Sequence, residues 1–394
     1  MIVRFGDCEL DLEGRELRRG HNLIHLEPQV FDLLRYLIAH RERAVGKDEI
    51  VKEVWHGRIV SDATLSSRIN AVRQAIGDTG KAQTYIRTLP RHGFRFVGQL
   101  AQSDRTASVE NYVVPPQRVT FCRTSDGVNL AIATSGKGLP VVKTGTWLTN
   151  VERDWQSPLW SPFFSRLSSQ FQLIRYDPRG CGLSDWNVPE ISFESFVSDL
   201  ETVVDSLGLE RFALLGISQG AATSIAYAAR HPERVSHLAL SGGFPIGWRK
   251  GGSVDEINVR EAIFTLIKQG WGEDNLAFRQ VFNQRLWPEA KPEQMQALDA
   301  QQRASTSPEN AIRILRATGD LDVIGLLSQI SAPTLVLHSR GDISNPIELG
   351  LMLARGIPHS RFVEIDSRNH IPLPHELAWS RHVDELCAFL SGDS

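Results

Sequence analysis

A serine stands at the end of the apolar run Phe212-Ala213-Leu214-Leu215-Gly216-Ile217-Ser218-Gln219-Gly220, directly before the small-residue helical stretch Ala221–Ala229. Gly216 and Gly220 flank it, the pattern of a nucleophile on a sharp strand-to-helix turn. The glycines matter because a strained turn that lifts a hydroxyl clear of a sheet needs neighbours without a Cβ. The helix that follows points its positive end at any oxyanion that develops there. Such a serine needs a base and an acid. His370, on a loop after the last apolar segment, and Asp342, just past the apolar segment Thr334–His338, can converge over the turn.

Holding three such groups together requires a scaffold. From Arg118 onward, short apolar runs alternate with helical patterns, which calls for a mostly parallel sheet with helices on both faces. The expected strands are Val119–Arg123, Leu130–Thr134, Val141–Lys143, Gln172–Tyr176, Phe212–Leu215, His237–Leu240, Thr334–His338 and Arg361–Ile365. Between the sixth and seventh lies an insertion, about residues 243–330, that reads as helices. Ile263, Leu266 and Ile267, then Phe278, Val281, Phe282 and Leu286, fall at helical spacing. Its aromatics Trp248, Phe264, Trp271, Phe278, Phe282 and Trp287 fit an apolar lid over a pocket, although the same stripe also fits plain core packing.

At 394 residues the chain exceeds one small domain, and 41% hydrophobic with 23% charged residues is a globular composition. Four scattered cysteines with no CxxC fit neither a disulfide framework nor a zinc site. No signal sequence and no membrane-spanning apolar run is evident, so a soluble, cytoplasmic protein is expected. No P-loop, no GxGxxG after a strand and no HExxH occurs, so no metal, nucleotide or other cofactor is expected. The net charge of −3 is unevenly spread: residues 1–98 hold 16 Lys and Arg against 13 Asp and Glu. A basic module on an acidic body is the footprint of a DNA-binding head, or equally of a solvated face.

The first hundred residues read as short strands up to Leu26, then a helix opened by Pro28, a second from about Lys47 to Trp55, and a third after the N-cap pair Ser61-Asp62. The third puts Leu65, Ile69, Val72 and Ile76 on one stripe. Its other face carries Ser67, Asn70, Ala71 and Gln74, flanked by Ser66, Arg68 and Arg73. Short polar side chains bordered by arginines suit a helix inserted in a major groove. A hairpin follows, with Arg91, His92 and Arg95 placed to lie along the DNA backbone or minor groove. Residues 99–117 are polar, lack periodicity and end in Pro-Pro, as a linker would.

Trp55, Val60-Ser61-Asp62-x-Thr64-Leu65, Arg73-x-Ala75-Ile76-Gly77-Asp78 and Tyr85-Ile86-Arg87-Thr88-Leu89-Pro90-Arg91-His92-Gly93-Phe94-Arg95-Phe96 together resemble the OmpR-type winged-helix DNA-binding domain over residues 1–98. Unlike in many members, neither a phosphoacceptor domain before it nor a transmembrane helix after it is expected, so phosphorylation is not the expected input. Residues 118–394 resemble the α/β-hydrolase fold, through Arg175-Tyr176-Asp177-x-Arg179-Gly180-x-Gly182-x-Ser184-Asp185, the serine turn, Arg340-Gly341-Asp342 and Asn369-His370.

The order Ser218, Asp342, His370 is the one that fold requires, with His370 taking the serine proton and Asp342 steadying the imidazolium. The resemblance further implies an oxyanion hole from the amide of Gln219 and one of Thr146 or Trp147. Most relatives carry His-Gly in that second loop, and here Thr144 stands for the His. Trp147, Asn150, Trp155, Trp248 and Trp271 are the candidate ligand-pocket residues. The whole chain resembles a one-component transcriptional regulator. That implies double-stranded DNA and a small-molecule effector as partners, no membrane, and a homodimer. The intact triad equally fits an active serine hydrolase, an esterase, lactonase or C–C hydrolase, acting on an ester-like substrate and carrying a DNA-binding head.

Overall fold

The computed structural model describes residues 2–12, 14–20, 22–55, 60–101, 116–271 and 283–392. The chain divides into two compact units, Met1–Asn111 and Tyr112–Ser394.

In the first unit, β1 (Ile2–Phe5), β2 (Cys8–Asp11), β3 (Glu16–Arg19) and β4 (Asn22–Ile24) form an antiparallel sheet closed by β7 (Leu100–Ala101), in the order β4-β3-β2-β1-β7. Phe5 pairs with Leu100, so this sheet takes residues that the sequence places in the linker. A two-residue strand has no alternation to show, and only its partner β1 defines it.

Three helices follow: α1 (Pro28–Ala39), α2 (Lys47–Val54) and α3 (Asp62–Ala75). Proline at the start of α1 suits a position whose amide has no helical partner. Ser61 caps α3, its hydroxyl accepting from the Thr64 amide at 3.2 Å, and Gly77 leaves the helix with φ +70. Hairpin β5 (Ile86–Leu89) and β6 (Gly93–Phe96) completes a winged helix. Leu33, Leu34, Leu37, Leu65, Ile69, Val72, Phe94 and Phe96 meet in its core.

The second unit is built on an eight-stranded sheet: β8 (Arg118–Arg123), β9 (Asn129–Ser135), β10 (Pro140–Lys143), β11 (Gln172–Tyr176), β12 (Phe212–Ile217), β13 (Val235–Ser241), β14 (Thr334–Ser339) and β15 (Ser360–Ile365). Their spatial order is β15-β14-β13-β12-β10-β11-β9-β8. Six strands run parallel, and β8 and β9 pair antiparallel at one edge. Every residue of β12 and of β14 is buried, as expected of strands covered on both faces.

Helices α6 (Phe193–Ser206), α7 (Gly220–Arg230) and α12 (Ile347–Gly356) cover one face. The other is covered by α5 (Ser161–Ser168) and α13 (Leu377–Ser391). Short α4 (Val151–Gln156) follows β10. The insertion between β13 and β14 carries α8 (Trp248–Gly251), α9 (Val254–Gly270), α10 (Pro292–Ser305) and α11 (Pro308–Asp320). Phe278, Val281 and Phe282 lie outside the described residues. This is the α/β-hydrolase fold with a helical cap, joined to a winged helix in a multidomain chain.

Candidate functional site

Ser218 sits on the turn between β12 and α7 with φ +52, a left-handed conformation that costs a non-glycine residue energy. Its amide donates to Ser241 O at 2.9 Å, which ties the turn to the end of β13. Both flanking glycines are sterically required. A Cβ on Gly216 would lie 2.6 Å from Ala221 Cα, and one on Gly220 would lie 2.9 Å from Gly145 O.

Asp342, one turn beyond β14, and His370, after β15, come together: His370 Nδ1 is 2.6 Å from Asp342 Oδ2, with both side chains buried. The other carboxylate oxygen accepts from the amides of Ser344 at 2.8 Å and Asn345 at 3.0 Å. Burial works to raise the Asp342 pKa. The charge and hydrogen bond of His370, the Asn345 amide and the nearby His338 overcome it, so the carboxyl is held below its ordinary value.

The histidine ring packs against Gly242 (φ +58), where a Cβ would lie 2.7 Å from His370 Cε1. Ser218 and His370 therefore meet the consecutive residues Ser241 and Gly242. His370 Nε2 is buried and has no hydrogen-bond partner among the described residues. That nitrogen is thus available as a proton acceptor beside the serine turn.

Several supports of this site carry no motif. Asn345 donates its side-chain amide to Gly242 O at 3.0 Å, and its carbonyl lies 2.7 Å from His338 Nε2. The cap reaches the His370 loop from above: His370 N donates to Leu286 O at 2.7 Å and Trp287 Nε1 to Ile371 O at 3.1 Å. Thr318 Oγ1 of α11 donates to Gln219 Oε1 at 2.9 Å, joining the cap to the serine turn.

The expected oxyanion loop follows β10. Thr144 donates through Oγ1 to Gly220 O at 2.9 Å, so the residue in the place of histidine fastens the loop to the first turn of α7. Thr146 is buried, and Trp147 packs with Leu148, Ile267, Trp271 and Ile314.

The other candidate pocket residues are placed differently. Asn150 caps α4, its Oδ1 accepting from the Glu152 and Arg153 amides at 3.2 and 3.0 Å. Trp155 stacks on Phe164 in the core beneath the sheet, under the guanidinium of Arg175. Trp248 packs on Phe264 inside the cap. Of the five, only Trp147 and Trp271 share a cluster. An indole fills core and pocket equally well, so residue type alone does not separate them.

A buried charge cluster lies behind the loop: Lys143, Asp154, Arg175 and Asp177. Burial depresses the Lys143 ammonium and raises the Asp154 carboxyl, each opposed by its oppositely charged neighbours. Burial also lowers Arg175 to about 10 and raises Asp177. The available signal was a lysine and an arginine inside strands that otherwise read as apolar.

On the winged helix, Ser66, Ser67, Asn70 and Gln74 of α3 are exposed and Ala71 is half-buried. Arg68 is ion-paired with Glu27. Arg91 (φ +69) and His92 are exposed at the hairpin tip. Two expected DNA contacts point elsewhere. Arg73 is buried, donating to Ile86 O at 3.0 Å and Thr88 Oγ1 at 2.9 Å, because it follows Ile69 by one helical turn and so falls on the inner face. Arg95 donates Nε to Arg41 O at 2.9 Å.

Among the described residues no group of three or more His, Cys, Asp or Glu side chains could hold a metal, and no helix is long and apolar enough to cross a membrane. Fold and site together define a DNA-binding module joined to an α/β-hydrolase domain.

Sequence comparison agrees. The profile of the alpha/beta hydrolase fold matches residues 154–262, and that of the C-terminal domain of transcriptional regulatory proteins matches residues 20–96. The chain is 26% identical over 261 residues to a pimeloyl-[acyl-carrier protein] methyl ester esterase of Legionella pneumophila, covering 66% of this chain and 99% of the relative. It is also 26% identical over 262 residues to the AB hydrolase superfamily protein YisY of Bacillus subtilis, covering 64% and 91%. Among solved structures, an esterase from Exiguobacterium antarcticum superposes with a TM-score of 0.58 at 24% identity, over 70% of this chain and all of that one.

Proposed function

We propose that this chain is a DNA-binding transcriptional regulator whose α/β-hydrolase domain receives an ester-like small molecule at Ser218. The observation that carries the proposal is the Asp342–His370 pair beside the strained serine, with His370 Nε2 buried and unpartnered. A ligand carbonyl placed over Ser218 would meet the amides of Gln219 and of Thr146 or Trp147. The winged helix would read DNA through Ser66, Ser67, Asn70, Ala71 and Gln74 of α3, with Arg91 and His92 at the hairpin. It would do so as a homodimer on paired half-sites, acting in the cytoplasm.

A second reading, turnover of the ester, is favoured by the same pair. Ser218 Oγ would attack the carbonyl carbon as His370 Nε2 takes its proton. His370 would return that proton to the departing alkoxide, and water would then release the acyl group by the same route. Intact mass after exposure to a fluorophosphonate separates the readings. An adduct on the wild type that is absent from Ser218→Ala supports an activated nucleophile and a consumed signal. No adduct on folded protein leaves a receptor without chemistry. Duplexes selected by the full chain should lose binding when residues 61–98 are removed, and retained binding would sink the DNA-binding proposal.

A further inference from the structure

Lys143 closes β10 and directly precedes the loop Thr144–Trp147. Its side chain is only 3% exposed, and its two hydrogen bonds both go to that loop: Nζ donates to Thr144 O at 3.3 Å and to Thr146 Oγ1 at 3.3 Å. The ammonium lies 5.9 Å from the Trp160 ring centroid. Asp154 and Asp177 act on it through space. An ammonium in the interior is costly, and a strand in the middle of a parallel sheet ordinarily ends in an apolar residue. The loop it grips is the one from which the hydrolytic reading draws its second oxyanion amide, and it begins with Thr144.

We infer that Lys143 is a positioning residue for the oxyanion loop, fixing Thr144 and Thr146 from behind so that an amide of Thr146 or Trp147 points at the reacting carbonyl. This inference rests on the hydrolytic reading of Ser218 given above. The grip is double-sided. Thr144 Oγ1 fastens the loop to Gly220 O, while Lys143 fastens it to the charge cluster, whose Asp154 is in turn held by Gln301 of cap helix α10. Such an arrangement sets donor geometry before substrate arrives, which is where an oxyanion hole gains its effect.

The test is the second-order rate of Ser218 labelling by a fluorophosphonate, with kcat and KM for a short-chain p-nitrophenyl ester, in wild type, Lys143→Met, Lys143→Gln and Thr146→Val. Lys143→Met should slow labelling and kcat about 10- to 100-fold while KM stays within about twofold, because only a transition-state contact is disturbed. Lys143→Gln, which keeps an N–H donor, should recover part of the loss. Should Lys143→Met fail to fold, Thr146→Val removes one of the two acceptors without touching the buried charge and should lower kcat in the same direction by a smaller factor. Wild-type labelling rates in folded Lys143→Met overturn the inference and leave the hydrolytic reading standing, and wild-type rates in Thr146→Val overturn the share assigned to the Thr146 contact. A loss in Lys143→Met that appears in KM alone overturns it too. Failure of the wild type itself to label overturns the hydrolytic reading and this inference with it.

Discussion

Asp342 grips His370 with one carboxylate oxygen, 2.6 Å from Nδ1, and fills the other with the amides of Ser344 and Asn345. The acid is thus saturated on the backbone side and free to orient the imidazole on the other. Asp342→Asn keeps the volume but replaces an acceptor by an amide, so it no longer fixes the tautomer that leaves Nε2 able to accept a proton. Fluorophosphonate labelling of Ser218 should slow by about 10³–10⁴, with the unfolding midpoint nearly unchanged. Labelling at the wild-type rate would show that this pair is structural.

The two faces of α3 separate recognition from stability. Asn70 is exposed and Arg73 is buried against the hairpin strand. Asn70→Ala should weaken binding to a selected duplex by about 1–3 kcal/mol without moving the melting temperature. Arg73→Ala should do the reverse, since it deletes the buried hydrogen bond to Ile86 O and the one to Thr88 Oγ1 and no DNA contact. Arg91→Ala, at the exposed tip, should reduce the salt slope of binding by about one, as loss of a phosphate contact does. Anisotropy titrations at several salt concentrations check all three, and a large affinity loss in fully folded Arg73→Ala would reverse the assignment.

Each of the eight strands expected from Val119 to Ile365 overlaps a strand of the hydrolase sheet, and the central parallel ones β12 and β14 read as apolar runs because both their faces are buried. Ser218, Asp342 and His370 could be picked out since each follows such a run. What stayed hidden was non-local. The position of Arg73 on the inner face follows from its spacing to Ile69, but its partners, Ile86 O and Thr88 Oγ1, lie on the hairpin strand, which a helical wheel does not contain. The bond from Thr318 to Gln219 spans 99 residues, and the Leu286–Trp287 hold on the His370 loop spans 84. The charge cluster around Lys143 is an exception to patterning, so pattern reading passes over it. The tryptophans could not be sorted for the opposite reason: their type fits both core and pocket.

Asp78 holds the segment between α3 and the hairpin. Its two oxygens accept from the amides of Thr79, Thr84, Tyr85 and Ile86 at 2.7 to 2.9 Å. Burial works to raise its pKa and the four amides prevail, so the carboxyl is held below its ordinary value. A carboxylate depressed in the fold contributes stability that is present above its unfolded pKa and is lost as pH falls through the folded one. Asp78→Ala strands four amides at once and should cost about 2–4 kcal/mol. Hydrogen exchange of the full chain checks this: peptides from residues 65–96 should exchange faster, while those from the hydrolase sheet should not.

His382 of α13 sets a different acid limit. It is 1% exposed, stacks on Phe163, and places Nε2 2.8 Å from Ser241 Oγ, whose own carbonyl anchors Ser218. Its Nδ1 is buried with no partner among the described residues, and burial lowers its pKa to about 4. An unfolded histidine titrates near its ordinary value of about 6.5, so between those values the unfolded chain binds the extra proton. Stability should therefore be greatest above about pH 6.5, fall as pH drops toward about 4, and fall no further from this source, a loss on the order of 3 kcal/mol. His382→Leu gives up the bond to Ser241 and should be less stable at about pH 7.5, yet lose much less on going to about pH 5. Urea midpoints of both proteins at the two pH values decide it. Equal losses in wild type and variant would mean that His382 accepts its proton without disturbing the core beneath Ser218.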